Sequence, residues 1–142
     1  MINKVVSFIP DAKLDHIGIA VRDLDEATEK YQMLGITLGD REIVSEQGVQ
    51  LQMLPGGDCR LELLQPISDD SPIAAFLEKR GEGLHHIALR VNDIRATLTR
   101  CKAAGVRLIN EEPRAGAGGC LIAFINPKST GGVLIELVQD NL

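Results

Sequence analysis

At 142 residues, with 44% hydrophobic and 25% charged side chains, the chain has the composition of one globular domain and not of a disordered segment. No apolar run approaches the roughly 18 residues that a membrane span needs, and Met1 to Lys13 is too short and mixed for a signal-peptide core. A net charge of −5 and 3% aromatics speak against a nucleic-acid surface, and three cysteines without C-x-x-C spacing (Cys59, Cys101, Cys120) point to a reducing, cytoplasmic setting.

The first strand is the β-branched run Ile17 to Val21. Asp23 follows as a helix cap, with Glu26 three residues on as a capping box, and the helix carries Leu24, Ala27, Tyr31 and Leu34 on one face before Gly35 ends it. Strands are expected at about 37–44, 50–54 and 59–65. A linking helix over 71–80, with Asp70 as its cap, separates these from a second set. That set begins with the strand Ile87 to Val91, the cap Asp93 and a helix carrying Ile94, Leu98, Cys101 and Ala104 up to Gly105. Strands at about 106–111, 121–126 and 133–139 complete it.

The two sets are one pattern written twice. A shift of seventy residues lays Leu14-Asp15-His16-Ile17-Gly18-Ile19-Ala20-Val21 on Leu84-His85-His86-Ile87-Ala88-Leu89-Arg90-Val91 without a gap. Farther on, Leu61-Glu62-Leu63-Leu64-Gln65 falls on Ile135-Glu136-Leu137-Val138-Gln139 at an offset of seventy-four. Four extra residues in the second copy are placed around Ala115 to Gly119. The fold class is α+β, two tandem βαβββ modules (about 13–66 and 83–139) joined by a helix at about 70–80, making a single domain over 1–142.

Alternation along the strands sorts the side chains. Ile17, Ile19 and Val21, like Ile87, Leu89 and Val91, form aliphatic faces for helices on the outer side, so His16 and His86 face the other way. In the last strands Glu62 and Glu136 share that inner face. Carboxylates in apolar strands are costly to bury unless paired or bound to a cation. Two imidazoles and two carboxylates suit one divalent metal, since the two negative charges cancel the ion's two and an octahedral ion keeps two positions for ligand. His85 has no counterpart in the first copy, where Asp15 stands. Alternation points it toward the helix side or a sheet edge, and it receives no role.

These residues carry a resemblance. The duplicated pattern, with His on each first strand and Glu on each last strand, resembles the vicinal-oxygen-chelate (glyoxalase-like) superfamily, and within it the methylmalonyl-CoA epimerases. The likeness runs from about Lys13 to Gln139. Its more specific stretches include Glu46-Gln47-Gly48-Val49, Gly81-Glu82-Gly83-Leu84-His85-His86, Glu112-Pro113-Arg114 and Pro127-Lys128-Ser129-Thr130-Gly131-Gly132. It implies a U-shaped sheet around one divalent metal held by His16, Glu62, His86 and Glu136. Co²⁺ is the favoured ion, and Mn²⁺, Ni²⁺ or Zn²⁺ also suit these donors. The implied reaction interconverts the epimers of methylmalonyl-CoA through a thioester enolate, on the way between propionyl-CoA and succinyl-CoA. A homodimer, formed by an edge strand or by the segment before Lys13, is implied as well.

Glu136 is the expected acid–base group on one face of the substrate. Some members of the family carry a second glutamate at the position that is Leu51 here, which leaves the opposite face unassigned and Glu46, in the nearby loop, as a lesser candidate. Arg114, Lys128 and Ser129 are candidate contacts for the anionic CoA tail, with Gly116 to Gly119 as a flexible loop at the mouth. The competing readings are a glyoxalase I-like isomerase acting on a glutathione hemithioacetal and a metal-free binding protein of the same superfamily. Neither nucleic acid nor membrane is an expected partner.

Overall fold

The computed structural model describes residues 12–141, so the first eleven residues, and any dimer contact they make, lie outside the described residues. In chain order the elements are β1 (Lys13–Ala20), α1 (Leu24–Met33), β2 (Arg41–Val44), β3 (Val49–Leu54), β4 (Arg60–Pro66), α2 (Pro72–Arg80), β5 (Gly83–Arg90), α3 (Ile94–Ala103), β6 (Arg114–Ala115), β7 (Leu121–Ile125) and β8 (Ile135–Gln139). The eight strands form one mixed sheet in the order β2-β3-β4-β1-β5-β8-β7-β6. Within each half the first strand runs parallel to the last, β1 to β4 and β5 to β8, and the halves join where β1 and β5 pair antiparallel.

Equivalent residues build both halves. Asp23 and Asp93 cap their helices, each accepting a backbone N–H three residues on at 3.0 Å. Glu26 does not close the expected box from its side, because its carboxylate pairs with Lys30 at 3.5 Å. The repeated glutamine of the last strand explains itself here. Gln65 accepts the N–H of Leu24 at 2.7 Å and Gln139 that of Ile94 at 2.8 Å, so each last strand satisfies an orphan donor at a helix start.

The aliphatic faces of the sheet lie under α1 and α3. Leu24 and Ala27 pack on Val21, Leu54 and Leu63, while Ile94, Leu98 and Cys101 pack on Val91, Ala123, Ile125 and Leu137. The linking helix behaves differently. Ile73 and Leu77 of α2 cluster with Ala20, Val44, Val49, Leu51 and Leu64, residues of the inner face, so α2 plugs one end of the concavity. Only two of the three helices therefore lie on the outer side. Ser71, not Asp70, caps α2, accepting the N–H of Ile73 with Pro72 at the first helical position.

Three further expectations are corrected. Leu34 and Ala104 are exposed, because each is the C-cap residue where the chain leaves the sheet. Residues 106–111 form no strand: Leu108 makes an isolated bridge to Ile125, and Asn110 takes the N–H of Phe124 with its side chain. The short edge strand falls later, at β6, after Pro113. The extra residues are also elsewhere. Leu54 faces Leu61 seven positions on, whereas Ile125 faces Ile135 ten positions on, so three of them lie in the turn 126–134. Two more precede β6, and the hairpin containing Gly116 to Gly119 is one residue shorter than its counterpart.

Candidate metal centre

Two β-bulges set up the site. Along β1 and β5 the register jumps between Leu14 and His16 and again between Gly18 and Ile19, so Asp15 and His85 are each an extra residue in the ladder. They occupy equivalent places in the repeat. Each bulge cancels the alternation that would send these side chains outward, and both line the same cavity as their neighbours His16 and His86. His85 is thus on the inner side, its Nδ1 2.9 Å from that of His86 and its ring against Phe76.

At the centre of the sheet the donors converge. His16 Nε2 lies 3.1 Å from His86 Nε2, 3.4 Å from Glu62 Oε2 and 3.6 Å from Glu136 Oε1, and His86 Nε2 lies 3.5 Å from Glu136 Oε2. Donor atoms of His16, His86 and Glu136 all fall within 4.8 Å of one another, and Glu62 approaches from the His16 side. All four residues are buried. Room for the His86 ring comes from Gly18, since a Cβ there would stand 2.1 Å from His86 Cε1. The matching position on β5, Ala88, carries its methyl without this demand.

The electrostatics describe a site in need of a cation. Burial raises the Glu62 carboxyl, and it pushes Glu136 up to about 8. Burial and then the neighbouring charge of His16 hold His86 well below the ordinary imidazole range. Against the cost of burial, the hydrogen bond to Asp15 and the charges of Glu62 and Glu136 raise His16. Glu62 Oε2 is buried 3.4 Å from His16 Nε2 with no hydrogen-bond partner among the described residues, and an unsatisfied buried polar atom costs about 1–3 kcal/mol. A divalent ion would answer all of these at once, so the donor set fits one.

Asp15 was not singled out by sequence pattern. It accepts from His16 Nδ1 and from Arg60 Nη2, both at 2.7 Å, and although burial opposes its charge these bonds hold its carboxyl at about 2. A carboxylate on Nδ1 leaves Nε2 of the same ring turned to the metal position. The one signal in the chain was its place directly before His16.

Around this centre lies a cavity of about 430 Å³. Its inner wall is largely apolar, with Leu51, Leu64, Ile122 and Val138 among its side chains, and Arg60 and Arg114 are the cationic ones. Of the expected CoA contacts, Arg114 is on the wall. Lys128 and Ser129 sit on the turn before β8, outside the lining, where the Ser129 hydroxyl accepts the N–H of Arg107 at 2.8 Å. Glu46 is exposed on the 3-10 turn Ser45–Gln47 and does not line the cavity, whereas Gln47 does. The glycine stretch expected as a loose loop is a held 3-10 turn. Gly118 N–H donates to Glu42 at 2.8 Å, and Gln47 Nε2 donates to the Ala115 carbonyl at 3.5 Å. The two edge strands of the sheet thereby meet over the cavity.

A sheet of paired βαβββ halves on whose inner face two histidines and two glutamates converge defines a class, and sequence comparison agrees. The chain belongs to the glyoxalase/bleomycin resistance protein/dioxygenase superfamily, whose family profile matches residues 15–124. It is 40% identical over 129 residues to the mitochondrial methylmalonyl-CoA epimerase of Homo sapiens, covering 89% of this chain and 73% of that one. The crystal structure of methylmalonyl-CoA epimerase from Mycobacterium tuberculosis superposes with a TM-score of 0.88 at 42% identity, over 99% of this chain and 94% of that chain. A methylmalonyl-CoA epimerase solved in complex with methylmalonyl-CoA and NH4+ gives 0.87 at 41% identity, over 92% and 95%.

Proposed function

We propose that the chain is a methylmalonyl-CoA epimerase, exchanging the proton at C2 of the malonyl thioester in a site that holds one divalent cation. The observation that carries the reading is the orphaned Glu62 Oε2 set beside His16, His86 and Glu136 inside the cavity. His16, Glu62, His86 and Glu136 are the ligands. When bound, the cation supplies a Lewis acid for the carboxylate and thioester oxygens, which makes C2 acidic enough to lose its proton. Co²⁺ suits the donors, as do the neighbouring divalent transition ions.

The chain's own groups do the rest. The apolar wall formed by Leu51, Leu64, Ile122 and Val138 keeps water from the reacting carbon. The Glu136 carboxylate, which lines the cavity, takes the C2 proton or returns it on one face of the substrate. Arg114 on the cavity wall meets an anionic part of the CoA tail. Cys59, Cys101 and Cys120 are free thiols, in keeping with a cytoplasmic enzyme working between propionyl-CoA and succinyl-CoA. Among the described residues no helix is long and apolar enough to cross a membrane.

The test is proton–deuterium exchange at C2 of methylmalonyl-CoA in D₂O. Fast exchange with metal-loaded protein, abolished by EDTA and restored by Co²⁺, is the expected outcome. No exchange with metal stoichiometrically bound would remove this reading and turn attention to a glutathione hemithioacetal. Replacing Glu136 by Gln should lower epimerisation by about 10²–10⁴-fold.

A further inference from the structure

Epimerisation through a planar intermediate needs a proton taken from one face of C2 and a proton delivered to the other. Glu136 rises from β8, one of the four central strands that carry the metal ligands. The opposite wall of the cavity is made where the edge strands β2 and β6 come together, through Glu42 to Gly118 and Gln47 to Ala115. We propose that Glu42 is the second acid–base group, acting on the face of C2 opposite to Glu136. This rests on the epimerase reading above and names the residue that it lacks.

The placement follows from register. On β2, alternate residues face inward, so Glu42 and Val44 line the cavity while Arg41 turns out to Asp25 on α1 at 2.6 Å. Glu42 is the cross-strand partner of Leu51, and Leu51 in turn pairs with Leu64, two residues along β4 from the ligand Glu62. Cross-strand neighbours stand on the same face with Cβ atoms about 5 Å apart. Leu51 cannot move a proton, and Glu42 brings a carboxylate to the same row one strand farther out. One oxygen accepts the Gly118 N–H at 2.8 Å, which holds the carboxylate at the cavity wall.

The other acids on the wall outside the ligand set are paired with arginines or lie off the inner row. Asp15 is bound by His16 and Arg60. Asp140 is taken up by Arg90 and Cys120, and Asp40 is exposed before β2 begins. His85 is turned onto His86 and Phe76, beside the ligands on the central strands. In the forward step the Glu42 carboxylate accepts the C2 proton, and the C–H bonding pair passes into the thioester carbonyl. The Glu136 carboxyl then donates its proton to the other face, and the pair resets by exchange with solvent. The reverse reaction uses the same two groups in opposite roles.

The test uses metal-loaded protein with each pure epimer of methylmalonyl-CoA in D₂O, following C2 exchange and epimerisation separately. In the wild type both epimers exchange. Glu42→Gln keeps an oxygen for the Gly118 N–H, so its melting temperature and metal content should match wild type. Its epimerisation should fall about 10²–10⁴-fold. One epimer, the one whose C2 proton faces Glu136, should still exchange at close to the wild-type rate, while the other stops. Glu42→Asp, a methylene shorter, should lie between. Epimerisation by Glu42→Gln within threefold of wild type overturns the assignment, as does equal loss of exchange for both epimers. Absence of exchange in the wild type with metal bound is a different failure, which removes the epimerase reading itself along with this one.

Discussion

A glycine and an aspartate, neither of them a donor to the metal position, decide whether His16 and His86 can do their work. With a Cβ at Gly18 the His86 ring has no place to stand. Gly18→Ala is therefore expected to lose stoichiometric metal while remaining folded, at a cost of about 1–3 kcal/mol for the overpacking. Metal analysis of the purified variant together with its thermal unfolding checks this. Asp15→Ala removes the carboxylate from His16 Nδ1 and should weaken Co²⁺ or Zn²⁺ binding about 10–100-fold in a direct titration. Asp15→Asn keeps an acceptor and should lose less. That His16, Glu62, His86 and Glu136 converge could be read from the sequence because they recur at matched positions of a repeat and share one face of their strands. Asp15 and His85 could not, since a bulge suspends the two-residue period on which that reading depends.

At the level of the elements, the modules are held to their helices by small polar contacts at repeat-equivalent places. Asp23→Ala and Asp93→Ala should each cost about 1 kcal/mol in denaturant unfolding. Gln65→Leu and Gln139→Leu should each cost about 1–3 kcal/mol by orphaning a helix N–H beneath the sheet edge. Cys101, wholly buried between α3 and the sheet, has its thiol pushed up by that burial. It should react with a maleimide only on unfolding, after half-buried Cys59 and Cys120. The strand–helix alternation was legible because β-branched runs, capping aspartates and terminal glycines coincide. The outer strand of the second half was not, because Asn110 supplies by side chain the bond a ladder would have made and Pro113 has no N–H to give. Ser71 over Asp70 turned on which residue directly precedes Pro72, a one-residue matter that composition does not resolve.

For the whole molecule, the repeat at an offset of seventy was the decisive signal, and it carried the pairing of the halves with it. Where the four extra residues fall was hidden, since three of them serve a turn held by its own hydrogen bonds between Asn126 and Ser129. Among the described residues the seam between α1 and α3 is uncovered: Leu14, Leu84 and Ile87 on β1 and β5 are 42%, 73% and 36% exposed. A strip of this kind suits a second copy of the chain. If the enzyme is a homodimer through this seam, Leu84→Glu should shift its mass in light scattering from two chains to one.

The meeting of β2 and β6 over the cavity has a consequence of another kind. A sheet of eight strands ordinarily ends in two open edges, each a template on which a foreign strand can build and from which aggregates grow. Here the edges are four and two residues long and face each other, tied by Glu42 to Gly118. Replacing Glu42 with a side chain that accepts nothing would leave the longer Gln47 to Ala115 bond to hold the two edges together, so solubility on storage should decline along with turnover.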